Sequence, residues 1–160
     1  MRFLEDMTIG ERHEIGSFAF TADSIKTFAA QFDPQPFHLD EEAGKNSLFG
    51  GLAASGWHVA AVCMKLMVAN AQREAAEAAK RGDLEATGGP SPGFRELRWL
   101  KPVLAGDTVT YYKQIENLRP SDSRPQWGIM QARNTGINQR GEVVFSFLAT
   151  AFVPRRPNAA

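Results

Sequence analysis

A chain of 160 residues with 18 basic and 18 acidic side chains is the length of one domain and carries no net charge, which argues against a general nucleic-acid or membrane-surface role. Its single cysteine, Cys63, excludes an internal disulfide framework and suits a reducing compartment. No apolar run is long enough to span a bilayer, and the start MRFLEDMTIGERHE lacks the apolar core of a signal peptide, so a cytoplasmic protein is expected.

Residues 3–20 read as an extended lead-in, with a turn at Thr8-Ile9-Gly10-Glu11 and strand positions at Ile15, Phe18 and Phe20. Thr21 or Asp23 can cap a short helix whose Ile25, Phe28, Ala29 and Phe32 recur at i, i+3, i+4 and i+7. Asp33-Pro34 ends it. Between Asp33 and His38 two prolines, Pro34 and Pro36, each lack a donor and bias their predecessors towards extended geometry, which predicts a stiff turned loop and no regular helix. Asp40 can cap one further helical turn, with Glu41 and Glu42 near its positive end.

The longest helical signal starts at Ser55, a good N-cap, and runs to about Arg81 before the stop at Gly82. Its first half, from Trp57 to Val68, is apolar almost all round, which predicts a buried helix. From Asn70 it turns polar and alanine-rich and should emerge into solvent. Residues 85–93 read as a mobile loop. Four strand-like runs follow: Phe94 to Lys101, Thr108 to Leu118, Trp127 to Thr135 and Glu142 to Val153. The last is apolar on both faces, as a central strand is. Residues 154–160 are expected to be a frayed tail. A sheet of consecutive strands wrapped round one apolar helix satisfies this order, so the expected fold class is α+β of the hot-dog kind, one domain over 1–160.

The chemistry-bearing residues gather between Phe28 and Ala61. A carboxylate and an imidazole held near each other, as Asp33 and His38 are by the prolines, can hold a water, take its proton and return one to a neighbouring carbon. Gly56, after Ser55 and the Gly50-Gly51 pair, would leave a first-turn amide open to a ligand carbonyl. The three histidines, His13, His38 and His58, have no metal-binding spacing, so no metal is expected. His58 is expected to bond to the backbone or a neighbour, and Cys63 to belong to the core. Arg95, Arg98, Lys101 and Lys113 read mostly as a solvated sheet face, with one or two able to meet the phosphates of a nucleotide-bearing substrate.

On the hexapeptide Asp33-Pro34-Gln35-Pro36-Phe37-His38, followed by Ser55-Gly56 at the head of the long helix, the chain resembles the MaoC-like, (R)-specific enoyl-CoA hydratase family. The resemblance implies a hydration dyad of Asp33 and His38, with the Gly56 amide donating to the thioester carbonyl. It also implies substrate contacts at Gln35, Ser55, Trp57 and Met64. Gln35 stands where the family usually has Asn, and Met64 where a serine is often found. The implied activity is reversible hydration of a trans-2-enoyl thioester, an acyl-CoA, to the (R)-3-hydroxyacyl thioester, with no cofactor. The implied assembly is a homodimer or a dimer of dimers, since an open sheet edge invites a second copy. A hot-dog thioesterase and a non-catalytic acyl-thioester binding subunit are the competing readings.

Overall fold

The computed structural model describes residues 2–82 and 88–157. After a 3₁₀ turn at Leu4–Asp6, strand β1 spans Arg12–Ala19 and helix α1 Ala22–Phe32. Thr21 caps α1, its side chain accepting from the Ser24 amide at 3.1 Å. The expected stripe is only partly core: Ile25 and Ala29 are buried, Phe28 is half-buried and Phe32 is exposed.

Two short helices follow, α2 at Pro36–Leu39 and α3 at Glu41–Lys45, so the Asp33–His38 stretch is not wholly a loop as expected. Pro36 takes the first position of α2, where its missing N–H would be unpaired in any case and its φ already fits a helix. Asp40 caps α3 through a 2.8 Å bond from the Ala43 amide. Helix α4 runs Gly56–Lys80, with Ser55 as N-cap accepting from Trp57 N at 3.2 Å.

Strands β2 (Gly93–Trp99), β3 (Thr108–Pro120), β4 (Trp127–Asn138) and β5 (Val143–Pro154) complete one antiparallel sheet in the order β1-β3-β4-β5-β2. The strands are therefore not laid down consecutively: β2 crosses to the far edge beside β5. This is the hot-dog arrangement, a sheet curved round one face of α4. The main core joins α4 residues Val59, Val62 and Cys63 to Phe20, Tyr111 and Phe145. The Tyr111 hydroxyl donates to the Val59 carbonyl at 3.0 Å, tying strand to helix in the interior. Burial pushes the Cys63 thiol up to about 12, consistent with a core residue.

Three expectations are corrected here. The first half of α4 is buried on one side only; Trp57, Met64 and Val68 are 56, 54 and 49% exposed. Lys113 does not lie on the solvated sheet face but on the concave one, between Tyr111 and Ile115. The tail is anchored past Pro154: Arg155 Nε pairs with Glu5 at 3.1 Å and Arg156 with Asp6 at 2.8 Å. The expected mobile loop falls partly on residues 85–87, outside the described residues.

Candidate active site

The Asp33–His38 pair is assembled by two helix ends. Pro34 stops α1, leaving Asp33 as its C-cap, and the one-turn α2 then carries His38 back towards it. His38 Nδ1 lies 2.7 Å from the Ala53 carbonyl, an acceptor only, so Nδ1 donates there and Nε2 is the nitrogen left to meet Asp33. Nε2 faces Asp33 Oδ2 at 3.4 Å. The imidazole is buried, with the rings of Phe37 and Phe49 beside it.

Asp33 is half-buried, and both its oxygens accept hydrogen bonds. Ser55 Oγ donates to Oδ2 at 2.7 Å and Gln35 Nε2 to Oδ1 at 2.8 Å. Burial works to raise the carboxyl's pKa, but the bonds from Ser55 and Gln35 and the nearby His38 outweigh it and hold the group below its usual value. Asp33 is thus a carboxylate at neutral pH. The longer arm of Gln35 bends back onto this carboxylate, and Ser55 serves both as helix cap and as the second donor to it.

Gly56 opens α4, where a first-turn N–H has no intrahelical acceptor and the helix dipole adds positive potential. Its Cα is covered by an indole: a Cβ there would lie 2.6 Å from Trp99 Cε2, and Trp99 Nε1 donates to the Gly56 carbonyl at 2.8 Å. Trp57 meets Trp99 edge to face, with centroids 5.1 Å apart. A cavity of about 420 Å³ joins these parts. Asp33, Gln35, His38, Ser55, Gly56 and Trp57 all line it.

Helix α4 and strand β2 separate this cluster in sequence from its other walls. Trp99, Leu100, Lys101 and Val103 close the cavity from the end of β2, and sequence reasoning did not single them out as a wall. Only the crossing of β2 to the sheet edge beside β5 brings them there. The Ala53 carbonyl that sets the His38 tautomer carries no side-chain signal at all.

Met64, expected in the pocket, does not line it; it lies on the outward face of α4, two turns along from Trp57. His58 also departs from expectation. Its ring stacks on Phe28 (centroids 4.6 Å, 6° between planes) with Phe20 and Phe18 edge-on, and its buried Nδ1 has no partner among the described residues. Burial lowers its pKa to about 4.

The sequence model of the MaoC-like domain family matches residues 6–133. The crystal structure of a MaoC-like dehydratase from Rhodospirillum rubrum is 42% identical and superposes with a TM-score of 0.83, covering 98% of this chain and 99% of that one. The uncharacterized protein YdeM of Bacillus subtilis is 28% identical over 152 residues, 95% of this chain and 99% of its own length. The mesaconyl-CoA hydratase of Cereibacter sphaeroides is 38% identical over 68 residues; those cover 42% of this chain but 20% of the hydratase.

Proposed function

Because the chain belongs to the MaoC-like domain family, we propose that it is a hydratase adding water reversibly to a trans-2-enoyl-CoA to give the (R)-3-hydroxyacyl-CoA. The observation that carries this reading is the approach of an ionised Asp33 to Nε2 of His38, inside a cavity walled by the first turn of α4.

A water placed between the two groups donates one hydrogen to each. As its oxygen bonds to C3 of the enoyl thioester, His38 Nε2 takes the proton that leaves it. The double-bond electrons move onto the thioester oxygen, which the Gly56 N–H and the helix dipole stabilise. The resulting imidazolium returns its proton to C2, so the water's OH and H both end in the product. Asp33 orients the water and stabilises the imidazolium, while Ser55 and Gln35 keep Asp33 charged. Coenzyme A enters as part of the substrate, and the reaction requires no further cofactor.

The unit proposed to act is a homodimer. Among the described residues β2 pairs only with β5, and beside its open edge stand the exposed Phe94, Trp99 and Leu100. Together with the outward face of α4 they form an apolar surface suited to a second copy.

Crotonyl-CoA offered to the pure protein tests the reading. Loss of enoyl conjugation without thiol release is expected. Thiol release instead would make the protein a thioesterase, and saturable binding with neither change would make it a binding subunit.

A further inference from the structure

The inward face of β3 reads Val109, Tyr111, Lys113, Ile115: three buried residues of the core and a lysine. Antiparallel register sets Lys113 between His13 of β1 and Asn134 of β4, so three polar side chains form one row across the concave sheet. Asn134 is wholly buried; its Nδ2 donates to the Ala132 carbonyl at 3.2 Å, and its Oδ1 has no partner among the described residues.

His13 and Lys113 of this row line a second cavity, of about 160 Å³, between the sheet and the later turns of α4. Met67 lines it, eleven residues beyond Gly56 and so roughly 16 Å along the helix from the dyad's end. Among its charged groups, Arg2 is held by two bonds of 2.8 and 2.9 Å to Glu11, which also takes His13 Nε2 at 2.7 Å. Glu74 reaches the cavity from α4 and accepts from Asn70 at 2.8 Å. Lys113 makes no hydrogen bond or ion pair among the described residues, and burial lowers its pKa from the usual value. An ammonium desolvated between Ile115, Met67 and Met130 is costly; Glu74 and Glu11 offset part of that cost by their charge but make no ion pair with it among the described residues.

We propose that this cavity binds a short-chain aliphatic carboxylate, its oxygens accepting from Lys113 and its chain lying along Met67 and Met130. The volume holds on the order of five water-sized groups, which fits a four-carbon acid and excludes a long acyl chain. Glu74 weakens the site by like charge. The site is independent of the hydratase reading.

Butyrate titrated into the full chain, followed by melting temperature and calorimetry, tests this without an activity readout. Butyrate is expected to raise the melting temperature in proportion to occupancy. Neutral butyramide, or sodium chloride at equal ionic strength, should not. Lys113→Met should abolish the shift and, free of an unpaired charge, melt above the wild type without ligand. Glu74→Gln should tighten butyrate several-fold. Lys113→Gln, which keeps a polar end without the charge, should likewise lose the shift. Equal shifts with and without Lys113, no shift at millimolar butyrate, or a Lys113→Met protein less stable than wild type would each overturn the proposal; the last would mark Lys113 as a structural partner of Glu74.

Discussion

Replacing Gly56 by alanine, alone and together with Trp99→Ala, separates packing from catalysis at the head of α4. A Cβ at this position would stand 2.6 Å from Trp99 Cε2 and 2.7 Å from Nε1, so the indole must withdraw. Withdrawal breaks its 2.8 Å bond to the Gly56 carbonyl and the edge contact with Trp57. Trp99 is partly exposed on an edge strand and can move outward, which limits the damage. The lost hydrogen bond is worth about 0.5–1.5 kcal/mol and overpacking costs about 1–3 kcal/mol. Gly56→Ala should therefore lose about 1–3 kcal/mol of stability. On the Trp99→Ala background the same change should cost a few tenths, a coupling of about 1–2 kcal/mol. Turnover should follow a different rule, because the methyl crowds the approach to the Gly56 N–H whether or not the indole is present. Relative to Trp99→Ala, the double variant should hydrate crotonyl-CoA roughly tenfold more slowly. Melting temperature and single-turnover hydration per folded molecule, measured on the same four proteins, give both cycles. If the double variant matches Trp99→Ala in rate, Gly56 serves only to seat the indole and its donor role is refuted.

Asp33→Ala and His38→Ala should each slow hydration by roughly 10²-fold or more in a protein that still folds, and near-normal rates in both would dismantle the dyad. His58 has a folded pKa of about 4 against an ordinary 6.5, so between these values the unfolded chain binds the extra proton. Its contribution to stability is complete above pH 6.5 and is lost as pH falls towards 4, by at most about 3 kcal/mol. The difference in denaturation free energy between wild type and His58→Phe should bend over that window, and a flat difference would contradict the aromatic cage. Met64→Glu should convert the proposed dimer to monomer in sedimentation at micromolar concentration while leaving each subunit folded; a stable, active wild-type monomer would remove the assembly proposal.

Much of the architecture was legible because local physics decided it. Ser55 caps α4 and Thr21 caps α1 where an N-cap side chain belongs, and Pro34 ends α1 for lack of a donor. The strand runs were readable from their apolar patterning and intervening turns, and the proximity of Asp33 to His38 from five residues of proline-stiffened chain. What local pattern could not decide was which element lies beside which. Apolarity all round the first half of α4 does not distinguish a helix buried on every side from one with a face left exposed; Met64 and Val68 lie on such a face. Period-two alternation places Lys113 on one face of β3, but only the curvature of the sheet makes that face the inside. The crossing of β2 to the far edge, set by pairing between residues some fifty apart, brings Trp99 over Gly56 and closes the cavity. The sequence alone determined which candidate groups the proposed dyad would use and their order along the chain, since side-chain chemistry and short-range geometry are local properties. The walls, the His38 tautomer and the second cavity were decided by tertiary structure, because each depends on a carbonyl or side chain brought from elsewhere in the chain.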